Sequence, residues 1–104
     1  MKGVERIAAE RQRQIEKEGW TPEHDDEHED EELAIVAALY ALPREERGRR
    51  TGDLFGKLWP ESWDEEWWKP SPEDRIRELE KAGALIAAEI DRLLRLADEA
   101  GGKP

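Results

Sequence analysis

The sequence predicts an all-α fold of one domain, and three observations lead to this prediction. Apolar residues recur at helical spacing in three long segments, at about 2–18, 22–42 and 72–97. Charged residues make up 42% of the 104 residues, against about a quarter in ordinary globular chains. Hydrophobic residues make up only 37%. A short chain with so few apolar residues has a thin core, so we expect homo-oligomerisation to complete it.

The first helix is predicted over 2–18. Apolar side chains follow one face of this segment in steps of three and four, and one charged residue, Arg11, interrupts their stripe. Gly19 comes directly after the segment, where a glycine commonly ends a helix in the left-handed conformation. If this face of the helix is buried, Arg11 needs a polar partner.

The second helix is predicted over 22–42. Thr21 is a suitable N-cap, and the proline that follows it suits the first helical position. Eight of the 27 acidic residues lie in Glu23–Glu32, at the positive end of the helix dipole, where anions are favoured. The second half, Leu33–Tyr40, is apolar on nearly all sides and is expected to be buried.

The third helix is predicted over 72–97, after the capping sequence of residues 71–74. Its apolar positions form a heptad pattern, which pairs helices in coiled coils; they are Ile76, Leu79, Gly83, Ile86, Ile90, Leu93 and Ala97. Small residues at 82–84 and 87–88 allow another helix to approach closely. Residues 1–100 are expected to form the domain, with 101–104 as a flexible tail.

An irregular loop is predicted over 43–70, basic in its first part and rich in tryptophan in its second. A connection of this length is usually functional or disordered, and its four tryptophans argue against disorder. Tryptophan rings stack on nucleobases, and arginine binds phosphate through two hydrogen bonds. The candidate ligand-binding residues are therefore Trp63, Trp67, Trp68, Arg49, Arg50 and Lys69. The structural alternative is that the tryptophans cover a thin helical core.

The acidic segment also contains two histidines. On a continuous helix His24, His28 and Glu32 stack on one face, and two imidazoles with a carboxylate suit a divalent metal. Glu89 is a further candidate, because it is the one charge between residues 81 and 91. The candidate ligands for Mg²⁺ or another divalent metal are thus His24, Asp25, His28, Glu29, Glu32 and Glu89. One alternative is that the acidic segment is a solvated helix start and that Glu89 lies on the surface. Another is that the acidic segment forms a structural polar cluster paired with Arg11.

Much of the chain resembles a family of small phage and prophage proteins. The matching segments are Glu5–Ile15, Glu18–Thr21, His24–His28, Glu32–Ala34, Tyr40–Ala41, Trp59–Pro60, Trp67–Pro70 and Lys81–Leu93. This resemblance implies a phage origin, and hence the cytosol of a bacterial host. A weaker resemblance is to all-α nucleotide pyrophosphohydrolases of MazG type. Glu29 and Glu32 match their first E-x-x-E motif, but the later E-x-x-D motif is absent, because Arg92 follows Glu89 at the third position.

The function predicted from these features is that of a phage accessory protein that counters host defence by binding rather than catalysis. It would sequester a nucleotide-type ligand or dock on a host defence protein. One alternative is a metal-dependent pyrophosphohydrolase, and a second is an acidic mimic of DNA. The net charge of −10 argues against direct binding to nucleic acid. No apolar run is long enough for a membrane span, and the absence of cysteine excludes disulfides.

Overall fold

The computed structural model describes residues 1–43, 46 and 54–100, and all regular structure in these ranges is helical. The predicted all-α class is confirmed for this part of the chain. The elements are α1 (Gly3–Glu18), α2 (Pro22–Asp26), α3 (Glu32–Ala41), α4 (Leu54–Leu58), a 3₁₀ turn (Glu65–Trp67) and α5 (Arg75–Ala100). None of the described helices has both the length and the apolar content that a membrane span requires.

Helix α1 packs along α5 in the antiparallel direction, because Arg6 pairs with Glu80 while Glu10, one turn later, pairs with Arg77. The two helices approach closely at Gly83. A Cβ atom at this glycine would lie 2.5 Å from Cδ1 of the facing isoleucine on α1, so the predicted role of a small residue is confirmed here. At its other end α1 stops as predicted, since Gly19 is left-handed with φ 74°.

The prediction of a single helix over 22–42 is wrong, because the chain forms two helices in this range. Helix α2 ends at Asp26, and a turn separates it from α3. Glu31 has a φ of 62°, which a helix does not allow, and the carboxylate of Glu32 accepts a hydrogen bond from the N–H of Asp30 at 2.6 Å. Repulsion between the crowded carboxylates disfavours a continuous helix here, and the break relieves it.

The core lies between α3, α5 and the residues around the 3₁₀ turn. Its buried members are Trp20, Leu33, Val36, Ala37, Tyr40, Trp63, Ala82, Leu85 and Ala88. The other three tryptophans of the predicted loop, Trp59, Trp67 and Trp68, are half-buried against this cluster. The structural alternative for the tryptophans is therefore confirmed: they supply apolar volume to a helical core that is short of it.

Helix α5 extends three residues beyond the predicted end and begins three residues later, because residues 72–74 form a turn before it. The burial of its two faces differs from what the heptad pattern predicts. The buried face includes charged residues, among them Glu78, Glu89 and Arg92, whereas most of the heptad stripe is exposed. Within one copy of the chain, therefore, the heptad stripe is not a core face.

Candidate functional site

A polar cleft lies between α1, α3, α5 and the residues that follow the 3₁₀ turn. Acidic, basic, amide and aromatic side chains line it, and they are Glu10, Arg13, Gln14, Glu18, Trp20, Tyr40, Trp67, Lys69 and Lys81. The cleft is narrow in this conformation. Its free volume is about 10 Å³, which is room for one water molecule. A larger ligand requires the side chains at the mouth to move.

Basic side chains gather at this polar cleft, although the whole chain has a net charge of −10. The side chain of Lys69 is 56% exposed, and its Nζ lies 3.2 Å from Oε1 of Glu18. Lys81 is half-buried; its Nζ donates to the carbonyl of Lys69 and lies 5.6 Å from the centre of the Tyr40 ring. Burial lowers the pKa of Lys81. Because exposed ion pairs contribute little stability, Lys69 can exchange Glu18 for another anion.

Glu10 is buried beside the polar cleft, with 2% of its surface exposed. Its carboxylate accepts hydrogen bonds from Nε of Arg13 at 2.8 Å, Nη1 of Arg77 at 2.5 Å and Nε2 of Gln14 at 3.2 Å. Burial works to raise the pKa of Glu10, but the hydrogen bonds and charges of Arg13 and Arg77 outweigh it and hold the pKa below its usual value. Glu10 therefore joins α1 to α5 as an ionised group.

We expect the free energy of unfolding to fall in acid, and Glu10 to contribute to the fall. Since the pKa of Glu10 is lowered on folding, its stabilising effect is complete above its unfolded pKa of about 4.3 and is lost as the pH falls through the folded value. Chemical denaturation between about pH 7 and about pH 3 measures this slope. The slope should be smaller in Glu10→Gln and unchanged in the control Glu16→Gln, at an exposed site on the same helix. Equal slopes in both variants would contradict the assignment.

Gln14 presents a buried hydrogen-bond acceptor at the polar cleft. Its surface is 1% exposed, and its Nε2 donates to Glu10. This bond fixes the amide orientation, because only the nitrogen can donate to a carboxylate. Oε1 of Gln14 then has no hydrogen-bond partner among the residues that the structure describes. A buried acceptor without a donor is costly, so the cleft favours a water molecule or a ligand that carries an N–H or O–H group.

Tyr40 connects α3 to the chain beyond the 3₁₀ turn. Its hydroxyl accepts the backbone N–H of Lys69 at 3.0 Å and donates to the carbonyl of Trp67 at 3.4 Å. Burial raises the pKa of Tyr40 to about 12, so the group remains a neutral donor and acceptor at physiological pH. These two bonds hold the backbone of Trp67 and Lys69, both of which line the polar cleft, against α3.

The six predicted ligand-binding residues have different environments. Trp67 and Lys69 line the polar cleft, and Trp68 is half-buried against Tyr40, with ring centres 4.6 Å apart. Trp63 is 3% exposed and belongs to the core. The other two, Arg49 and Arg50, lie outside the described residues. The prediction from sequence omitted the cleft residues on the helices, which are Glu10, Arg13, Gln14, Glu18, Tyr40 and Lys81.

Four of the six predicted metal ligands meet around Trp63 despite the helix break. The imidazole rings of His24 and His28 are 4.8 Å apart, and the indole N–H of Trp63 donates to Nδ1 of His28 at 3.0 Å. Asp25 is fully buried and pairs with Nη2 of Arg11 at 2.9 Å. Glu32 accepts from the hydroxyl of Ser62 and from a backbone N–H. Arg11 is thus a partner of this cluster, as the structural alternative predicted.

The remaining two predicted ligands lie elsewhere. Glu29 is exposed, and Glu89 forms two hydrogen bonds with Arg92 on the same helix. No three histidine, aspartate or glutamate side chains are arranged to hold a metal ion in the part of the chain that the structure describes. Most of the ligand atoms around Trp63 are instead used in pairing: Asp25 pairs with Arg11, Glu32 with Ser62, and His28 with Trp63. Nε2 of His24 has no partner among the described residues. The set does not fit a metal centre, and no step of a metal-dependent reaction follows from it.

Comparisons with known proteins give no relative: no family model, no curated protein and no solved structure matches this chain significantly. The resemblances to phage proteins and to MazG-type enzymes therefore stay predictions.

Proposed function

We propose that this chain is a binding protein without catalytic activity, and that the polar cleft takes up the anionic part of a nucleotide-type small molecule. One observation carries the proposal: three basic side chains line the same cleft as a buried amide oxygen that has no donor among the described residues. These residues are Arg13, Lys69, Lys81 and Gln14. Phosphate oxygens are bound by arginine and lysine, and the N–H groups of a base need an acceptor. One ligand with both groups can satisfy both requirements.

The tryptophan segment supports this class of ligand. Trp67 lines the polar cleft and is half-buried, so part of its ring is available to a planar group. Stacking of a base on an aromatic side chain contributes about 1–3 kcal/mol. Entry requires the mouth to open, and the exposed pair of Lys69 with Glu18 is the contact that must part. The phage-type resemblance makes a nucleotide signal of the host the expected ligand, and sequestration of it the expected counter-defence role.

Isothermal titration calorimetry with the purified chain tests the proposal. The panel comprises nucleoside mono- and triphosphates, cyclic dinucleotides and ADP-ribose, each without added metal. We expect at least one to bind, and Lys69→Met to weaken that binding about tenfold or more, since a charge-assisted hydrogen bond contributes about 1.5–3 kcal/mol. Recovery of the ligand unchanged after binding distinguishes sequestration from hydrolysis.

Two further variants locate the binding site. Gln14→Leu removes the unpartnered oxygen with little change of volume, and should weaken nucleotides that carry a base more than inorganic phosphate. Lys17→Met makes the same charge change as Lys69→Met on an exposed part of α1 and should leave the affinity unchanged. If no member of the panel binds, the nucleotide proposal is wrong. If Lys17→Met weakens binding as much as Lys69→Met, the site is not the polar cleft.

A further inference from the structure

One face of α5 carries a row of large apolar side chains that the described part of the chain leaves largely uncovered. Seven of them are each 45–60% exposed: Ile76, Leu79, Ile86, Ile90, Leu93, Leu94 and Leu96. We call this row the exposed stripe. Five of the seven occupy the heptad positions of the sequence pattern. Contiguous apolar surfaces of this kind on a soluble chain mark interaction sites.

The exposed stripe is distinct from the face of α5 that packs in the core of the chain. The opposite side of α5 already packs on α3 through Leu85 and Ala88, and its charged members Glu89 and Arg92 pair with each other. At the N-terminal half α1 packs against Gly83, a small residue of the heptad pattern, and leaves Ile76, Leu79 and Ile86 about half exposed. Since α1 runs antiparallel to α5 and begins at Gly3, the C-terminal half of α5 extends beyond it. Among residues 1–43, 46 and 54–100, no element covers the exposed stripe.

We propose that the exposed stripe binds a second copy of this chain, with the two α5 helices antiparallel about a two-fold axis near Ile86. The heptad spacing is the first reason for choosing a second copy. Apolar residues that repeat every three and four positions interdigitate with the same repeat on a partner helix. A two-fold interface also uses one self-complementary patch on both chains, so a single stripe is sufficient.

The area of the exposed stripe is close to what a stable dimer requires. From Ile76 to Leu96 it is about 30 Å long at 1.5 Å per residue. Beside its C-terminal half lies an open groove of about 510 Å³, to which Leu93 and Leu96 contribute. A strip that includes this groove and is two helix diameters wide has an area of about 600 Å² per copy. Stable complexes bury about 800 Å² per partner, so the two areas are similar.

The charge distribution selects the antiparallel arrangement. Four carboxylates and two guanidinium groups line the groove at the C-terminal half of the exposed stripe, so the groove has a net negative charge; they are Asp26, Glu29, Glu31, Glu99, Arg92 and Arg95. At the N-terminal half the neighbouring arginines Arg6 and Arg77 are paired with Glu80 and Glu10. A parallel pair would place two acidic grooves together. An antiparallel pair keeps the two acidic grooves at opposite ends of the interface, and it also opposes the two helix dipoles.

Single cysteines test the arrangement, because the wild-type chain contains none. Under mild oxidation Ile86→Cys should cross-link to itself, since the two-fold axis passes beside it. Leu79→Cys alone and Leu93→Cys alone should not cross-link, but a mixture of the two should give a heterodimer, because the two positions lie at equal distances on either side of Ile86 and a disulfide requires Cβ atoms about 3.5–4.5 Å apart. Self-linked Leu79→Cys and Leu93→Cys without the mixed species would overturn the antiparallel arrangement.

Light scattering after size exclusion tests the dimer itself. The wild-type chain should have twice its mass of 12.1 kDa. Ile86→Glu and Ile90→Glu should each weaken the dimer about 100-fold or more, because a carboxylate would lose its hydration in an apolar interface. Leu58→Glu is the matched control: its site on α4 is 41% exposed and lies outside the exposed stripe, so this variant should remain dimeric. A monomeric wild type, or a dimer that both α5 variants retain, would overturn the proposal. Circular dichroism confirms that each variant is folded.

Discussion

Replacing Arg92 by methionine should lower the free energy of unfolding by about 3–5 kcal/mol, because it leaves the carboxylate of Glu89 buried without a partner. The ion pair is bidentate: Nε and Nη2 of Arg92 donate to the two carboxylate oxygens of Glu89 at 2.7 and 2.9 Å. Both side chains are less than a tenth exposed, at 6% and 7%. Small domains are stable by about 5–15 kcal/mol in total, so this one change should bring the chain close to unfolding.

Arg95, one turn further along α5, supplies a matched control for this prediction. It pairs with Asp26 at 2.8 Å, but the two side chains are 32% and 51% exposed. Arg95→Met should therefore cost no more than about 1 kcal/mol. Urea denaturation at one fixed protein concentration measures both variants, since self-association would add to the apparent stability. Equal losses for the two arginines would show that the burial of the Glu89 pair contributes nothing.

The double variant Glu89→Leu with Arg92→Met separates the cost of an unpaired charge from the value of the pair. Replacement of a whole buried ion pair by apolar residues is often neutral or stabilising. We therefore expect the double variant to recover most of the stability that Arg92→Met loses. A double variant as unstable as the single one would mean that the pair itself, rather than the unpaired carboxylate, determines the loss.

The fold class and the bounds of α1 could be predicted because local signals determine them. Gly19 ends α1, and the apolar period of α1 and α5 is strong. The break before α3 could not be predicted by the same means. Its backbone depends on Glu31 in a left-handed conformation, which glycine or asparagine would have signalled. The density of like charges was the one available indication against a continuous helix.

The candidate site could be predicted only in part, for a physical reason. Gln14, Tyr40 and Lys81 come from three helices far apart in sequence, and only tertiary packing brings them to Trp67 and Lys69. A signal for α1 did exist in the sequence: three polar residues, Glu10, Gln14 and Glu18, lie four apart on one face. Polar residues in such a line are commonly exposed, so the pattern alone did not distinguish a buried cleft wall from a solvated face.

Replacing Trp63 by alanine should cost about 3–5 kcal/mol of stability, the usual loss for a large aromatic residue in a core. The ring is 3% exposed and stands with its centre 5.4 Å from that of Trp20 and 4.9 Å from that of Trp67. Trp63→Phe retains most of the apolar volume but removes the donor to Nδ1 of His28. It should cost about 1 kcal/mol, the net value of one hydrogen bond, because Nδ1 of His28 also lies 3.3 Å from Oε2 of Glu32 and so retains a partner.

Thermal and urea denaturation of four variants measures the coupling between Trp63 and His28. The variants are Trp63→Ala, Trp63→Phe, His28→Leu and the double variant Trp63→Phe with His28→Leu. If the indole–imidazole bond determines the loss in Trp63→Phe, the double variant should lose less stability than the two single variants added together, because each single variant removes the same bond. The outcome also decides how the sequence pattern of tryptophans is to be interpreted. A residue that only contacts ligand would change affinity and leave stability unaltered. A large loss of stability at Trp63 places this ring in the core, and leaves Trp67 as the member of the pair that remains available to a ligand at the polar cleft.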